Sequence, residues 1–199
     1  MRLSAIQEKC LLLALCAPLF AAAHLFNGWV FQQWELSSHI AWIYLPAFLR
    51  LAYVLVLGSV WGFTSVFIGS LALGIGMNED WMHASTNALA SASGPLLALW
   101  LFKVLKERPL QISRWPDLLQ VCILYALLNA LVHHAAWSFN QPEQLMSVHQ
   151  MPVMVIGDLV GALLGSALFT VAMRQLGLYQ VINRLSQDPS VSDKGQAQD

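Results

Sequence analysis

Residues 41–76 read AWIYLPAFLRLAYVLVLGSVWGFTSVFIGSLALGIG, and this stretch decides the fold class. Its only charged side chain is Arg50. Water does not tolerate an apolar surface of that extent, whereas a bilayer core roughly 30 Å thick calls for about 20 apolar residues per helix. Gly58 and Ser59 divide the stretch. The division predicts a helical hairpin, or one long apolar run broken at a tight turn.

The rest of the chain repeats the pattern. Apolar runs cover approximately 10–31, 41–57, 59–76, 85–104, 117–139 and 151–173. Of the 199 residues, 57% are hydrophobic and 11% charged, and mean hydropathy is +0.58. A soluble domain carries about 25% charge, so lipid is the expected solvent. The reading is an all-α, polytopic transmembrane bundle of six spans over residues 1–174, followed by a tail over 175–199. In that tail Leu176, Tyr179, Ile182 and Leu185 fall on one face of a short interfacial helix, and the last residues have a disordered composition. A net charge of −1 excludes the basic stripe that nucleic acid requires.

Lys and Arg fix the expected orientation. Arg2 and Lys9 precede the first run, Lys103, Lys106, Arg108 and Arg114 lie between the fourth and fifth, and Arg174, Arg184 and Lys194 follow the sixth. The other loops hold Glu35, Glu79, Asp80 and Glu143 and no Lys or Arg. The positive-inside rule then places both termini in the cytoplasm, in a bacterial inner membrane. Tryptophan agrees: Trp29, Trp34, Trp42, Trp81 and Trp137 fall at outer ends, and Trp61, Trp100 and Trp115 at inner ends. At the N-terminus two readings stand. The run through Phe31 is long enough for an uncleaved helix, while the basic start and Ala21-Ala22-Ala23 have the pattern of a cleavable signal peptide.

Charges inside spans are costly and normally face a partner or a cavity. Arg50 and Asp158 have opposite signs, and both lie roughly 10–14 Å below the outer boundary at 1.5 Å per residue, which predicts a buried pair. Other polar residues share that depth: Tyr125, Asn129 and His133 at i, i+4 and i+8, Asn87 and Ser91 at i, i+4, and His24 and Asn27 at i, i+3. The expected site is therefore Arg50, Asp158, Asn129, His133, Asn87 and Ser91, either a cavity opening outward with Arg50 as its anion-attracting floor, or interhelical hydrogen bonding. Gly157, Gly161 and Gly165 form a stripe that lets a neighbouring backbone approach closely. Pro46 and Pro95 lie inside apolar runs, where each permits a kink.

The six histidines and three cysteines show no metal-ligand spacing, so no metal or cofactor is expected. His39, His83 and His149 belong to the outer interface, and His133 and His134 point to different sides of a helix. Ser91-Ala92-Ser93-Gly94 lacks the leading glycine of the rhomboid-type nucleophile and any base oriented on it, so an enzyme is not expected.

Several segments together resemble the MASE-type membrane-associated sensor domains of bacterial histidine kinases and diguanylate cyclases. They are Tyr44-Leu45-Pro46-Ala47-Phe48-Leu49-Arg50 with the Leu/Val run to Gly58, then Phe67-Ile68-Gly69-Ser70, then Asn87-Ala88-Leu89-Ala90-Ser91, and last Ile156-Gly157-Asp158-Leu159-Val160-Gly161-Ala162-Leu163-Leu164. The resemblance runs in order over roughly 40–173. It departs at Phe48, where a small residue is common, and at Ala167-Leu168-Phe169, where a proline often stands. The resemblance implies that Arg50, Gly157, Asp158 and Gly161 are core family positions. With no kinase or cyclase region following, it implies a standalone module that signals through a separate membrane or cytoplasmic partner. The expected function is thus a sensor-like or regulatory module binding a small ligand from the periplasmic side, with homo-oligomerisation open. The alternatives are a small-solute transporter or its substrate-binding membrane subunit, and an assembly subunit of a larger complex.

Overall fold

The structure, a computed structural model, describes residues 5–37, 40–108, 110–111, 114–140 and 150–175. It contains five long helices: α1 (Ala5–Val30), α2 (Pro46–Gly76), α3 (Trp81–Lys106), α4 (Trp115–Asn140) and α5 (Gln150–Gln175). A single turn of 3-10 helix at Gln32–Trp34 and a two-stranded antiparallel ribbon, β1 (Glu35–Ser37) and β2 (Ile40–Ala41), join α1 to α2. All five long helices are long and apolar enough to cross a membrane. His39, His149, Glu143 and the amphipathic face at 176–185 lie outside the described residues. The chain divides into two compact units, Met1–Gly165 and Ser166–Asp199. The candidate site lies within the first, and the described part of the second is the final turns of α5.

The expected division of this stretch at Gly58 is seen, and the expectation that the first run is helical from residue 41 is corrected. The helix starts at Pro46 rather than at 41, because Pro at the first helical position needs no N–H partner and its fixed φ suits a helix start. Pro46 therefore opens a helix instead of kinking one, and Trp42–Leu45 is irregular. Between Pro46 and Gly76 the two runs are two helical limbs of α2, joined at Gly58 (φ 81°, ψ 171°), the one residue there with non-helical backbone.

That single residue reverses the chain. A Cβ at Gly62 would lie 2.5 Å from Val54 Cα, whereas eight residues of straight helix span about 12 Å. Arg50 and Ser70 line one cavity for the same reason. The limbs 46–57 and 59–76 thus fold against each other. The first limb, about 18 Å at 1.5 Å per residue, is shorter than a bilayer core. The Gly58 end of the hairpin sits beside Lys9, Leu12 and Leu13 of α1, here called the turn end. The start of α2 sits beside Asn27, here called the loop end.

The bundle closes around three apolar clusters. Leu51, Ala98, Phe102, Val121, Cys122 and Tyr125 join α2, α3 and α4. Phe20 of α1 packs with Tyr53, Val66 and Ala92, and Ile40 of the ribbon packs with Ala130, Trp137, Val153 and Met154. The start of α3 is capped by Asp80, whose Oδ2 accepts from Met82 N at 3.0 Å. Its last turn carries Lys103 and Lys106, favourable at the negative end of the helix dipole. Beyond it Arg108 holds Asp117 with two hydrogen bonds, at 2.6 and 2.7 Å, tying the α3–α4 connection to the start of α4.

Candidate functional site

Irregular backbone at membrane depth survives only where its polar groups find partners inside the protein. In the segment Trp42–Leu45 each residue has at least one backbone group so held. Trp42 N donates to Trp34 O (2.9 Å) and Tyr44 N to Gly157 O (3.2 Å). Asn27 of α1 bonds both sides of the strand-like turn, donating from Nδ2 to Ile43 O (3.1 Å) and accepting at Oδ1 from Leu45 N (2.8 Å). Contact with Gly157 requires the absence of a side chain there, since a Cβ at 157 would overlap the Ala41 carbonyl and one at 161 the Tyr44 carbonyl. A Cβ at Gly165 would run into the Phe48 ring. The glycine stripe of α5 therefore receives a close backbone, as expected. That backbone is the end of β2 and the irregular segment after it rather than another helix.

Tyr44 is the hub of the site. Its hydroxyl accepts from Arg50 Nη2 at 3.0 Å and shares a hydrogen bond with His24 Nδ1 at 2.9 Å. The Arg50 guanidinium stands 4.9 Å from the Tyr44 ring centroid and 5.5 Å from that of Phe20, within cation–π range. Arg50 is 6% exposed, yet its Nε and Nη1 make no hydrogen bond of good geometry. The Tyr125 hydroxyl, within interaction range of Arg50, and Asn129 Oδ1 are likewise buried and make no hydrogen bond of good geometry.

A second set of bonds runs across α3, α4 and α5. Asn129 Nδ2 donates to Asp158 Oδ2 at 2.6 Å. His133 meets Ser91 Oγ through Nε2 at 3.2 Å and the Asn129 carbonyl through Nδ1 at 2.9 Å. The Trp137 indole donates to Asn87 Oδ1, and Asn87 Nδ2 reaches Glu79 Oε2 at 3.4 Å. Gly94 makes room for Asn129, whose Oδ1 would lie 2.7 Å from a Cβ at 94. Pro95, one residue on, supplies no N–H to the Ser91 carbonyl.

All six site residues expected from sequence are buried. Arg50, Asn87 and Ser91 line one cavity, and Asn129, His133 and Asp158 adjoin it through the bonds above. The expected contact pair is corrected: Arg50 and Asp158 feel each other's charge, but Arg50 is held by Tyr44 and Asp158 by Asn129, and no ion pair joins the two. Trp137 is also corrected, because it is buried beside His133 instead of standing at an interface. Its spacing carried the signal, since Tyr125, Asn129, His133 and Trp137 continue one i, i+4 stripe. Tyr44 and Glu79 are further members that spacing alone did not mark.

Two small cavities with polar side chains in their walls lie beside this cluster. One of about 20 Å³ is lined by His24, Tyr44, Arg50, Ser70, Glu79, Asn87 and Ser91 among others, and holds about one water molecule by size. The other, about 10 Å³, lies between Asn27, Gly28, Glu35 and Ala41 and shares His24 and Tyr44 with the first. Toward the turn end Leu51, Ala98, Phe102, Val121 and Cys122 fill the interior. Among the described residues no three His, Cys, Asp or Glu side chains converge on a metal-sized position. Compared with known proteins, the chain matches no family model, no curated protein and no solved structure.

Proposed function

We propose that this chain is a sensor-like module of a bacterial inner membrane, in which Arg50 binds a small anion entering from the periplasmic side. The carrying observation is the buried Arg50 guanidinium, whose Nε and Nη1 make no hydrogen bond of good geometry and which lies beside Tyr125 and a water-sized cavity. A buried cation with poorly bonded donors costs free energy unless something completes its shell, and an anion does so best. Six crossings are part of this reading, with the two limbs of α2 counted separately and Trp42–Leu45 lengthening the short first limb. An even number of crossings puts both termini on one side, and the Lys/Arg distribution makes that side cytoplasmic.

The one-sided arrangement favours sensing over transport, because the cavities with polar walls lie at the loop end and apolar side chains close the other. An anion at Arg50 competes with the Tyr44 hydroxyl. Displacing Tyr44 loads the segment that α5 holds at Gly157 and Gly161, so ligand binding is passed to α5 as a shift and on to a partner protein. The sequence likeness to MASE-type sensor domains agrees with this reading.

Thermal unfolding of the detergent-solubilised protein across a panel of acetate, phosphate, nitrate and dicarboxylate salts, at matched ionic strength, tests it. At least one anion should raise Tm saturably in the parent and have no effect on Arg50→Gln. A panel with no saturable rise, or a rise that persists in Arg50→Gln, sinks the reading.

A further inference from the structure

We infer that the groove between α1 and the second limb of α2 holds one phospholipid with a zwitterionic, phosphate-and-ammonium headgroup. The inference does not depend on the role given to Arg50. The groove is an apolar space of about 640 Å³, lined by Ala14, Ala17, Pro18 and Ala21 of α1 and by Gly69 and Ala72 of the limb. Close approach creates it: a Cβ at Gly69 would lie 2.6 Å from the Ala17 carbonyl, so the two helices touch there and their small side chains leave a furrow. It extends from the level of Cys10 to that of Leu25, about 22 Å at 1.5 Å per residue. One leaflet of a bilayer core is roughly 15 Å deep, so a whole acyl chain fits.

The furrow is apolar along its length and polar at one end. At Leu13 it meets a second space of about 230 Å³ lined by Glu8, Lys9, Leu12, Val56, Leu57 and Trp61. There the Lys9 ammonium stands 5.7 Å from the Trp61 ring centroid, and Gly58 leaves the hairpin turn open, with nothing within 4 Å of where a Cβ would be. This is the layout of a lipid, with a headgroup position at the turn end and a chain position below it. A second transmembrane helix would instead have to carry its apolar face past Glu8 and Lys9. The two adjacent opposite charges select the headgroup: Lys9 meets the phosphate and Glu8 the ammonium, whereas a purely anionic headgroup leaves Glu8 facing like charge.

Native mass spectrometry of the full chain from mild detergent, with equimolar phosphatidylethanolamine and phosphatidylglycerol of identical acyl chains, tests this. The parent should retain one phosphatidylethanolamine with a preference of roughly tenfold, the size of one charge-assisted hydrogen bond. Lys9→Gln and Glu8→Gln alter exposed side chains, keep the fold, and should bring the preference to parity. Ala21→Phe fills the furrow and should remove retention of both lipids; Ala14→Leu serves the same purpose if Ala21→Phe does not fold. Equal retention of the two lipids by the parent, or undiminished retention in the filled-groove variants, overturns the inference. A two-chain particle that these variants convert to single chains assigns the groove to a second copy and also overturns it.

Discussion

The loop-end and turn-end halves of this bundle are built on different terms. At the turn end helices meet through the apolar side chains Leu51, Phe102, Val121 and Cys122, and the irregular Gly58 turn and the Arg108–Asp117 pair belong to the connections rather than to that packing. At the loop end Asn27, Tyr44, Arg50, Asn87, Ser91, Asn129, His133 and Asp158 are buried together, around a segment that is not helical. The polar side chains and the irregular backbone need each other. Trp42–Leu45 has unsatisfied groups that Asn27 and Gly157 satisfy, and its insertion delivers Tyr44 to Arg50. In lipid, where apolar side chains gain little by leaving the solvent, such specific bonds and close backbone contacts set which helices are neighbours.

The most damaging way to break that contrast is to close the α5 stripe. Gly161→Leu places a side chain where the Tyr44 carbonyl lies and should expel the segment, costing about 3 kcal/mol or more. Gly76→Ala, where nothing stands within 4 Å, should move stability by less than about 0.5 kcal/mol. Unfolding in SDS from a fixed detergent, read by tryptophan fluorescence, compares the two. Equal stability of Gly161→Leu and the parent would mean that the segment is not seated on α5.

Next in size is Asn129→Leu. It removes the donor to Asp158 and leaves a buried carboxyl without its 2.6 Å bond, a loss of about 2–3 kcal/mol on the same assay. The contrast is sharpened by the charge swap Arg50→Asp with Asp158→Arg. A direct pair would be partly restored by the swap. Here each residue is held by a different neutral partner, so the double variant should be no more stable than the worse single variant. Recovery above either single variant would show that the two charges pair directly.

Much of this was legible in the sequence, for a physical reason. Hydropathy reports which residues can face lipid, and it located the apolar runs that became helices. The i, i+4 spacing of Tyr125, Asn129 and His133, and the glycines at 157, 161 and 165, report shared helix faces, and those faces are the ones buried. Hydropathy does not report backbone conformation. Ala41–Leu45 is as apolar as a helix, so its non-helical course was hidden, and with it the roles of Tyr44 as hub and of Asn27 as clamp. The readable clue was Pro46, which suits the first turn of a helix better than its interior. Trp137 was misplaced because tryptophan near a helix end usually belongs to the interface, while its place in the Tyr125 stripe argued for burial.

Apart from the Gly76→Ala control, the smallest expected effect falls on Gly58, which belongs to neither half's side-chain network yet makes the hairpin that both share. Its φ of 81° and ψ of 171° fall in a region that only glycine adopts readily. No atom lies within 4 Å of where its Cβ would be, so Gly58→Ala tests backbone strain alone. The cost should be about 1–2 kcal/mol, less than that of Gly161→Leu, because the turn can open slightly toward the lipid headgroups while the α5 stripe has no such room. Because the strain sits at the turn end, about 12 Å along the helix axis from Arg50 at 1.5 Å per residue, anion-dependent stabilisation should persist in Gly58→Ala. A loss of anion response equal to that of Arg50→Gln would mean that the hairpin turn sets the geometry of the polar half, and that the two halves are not independent.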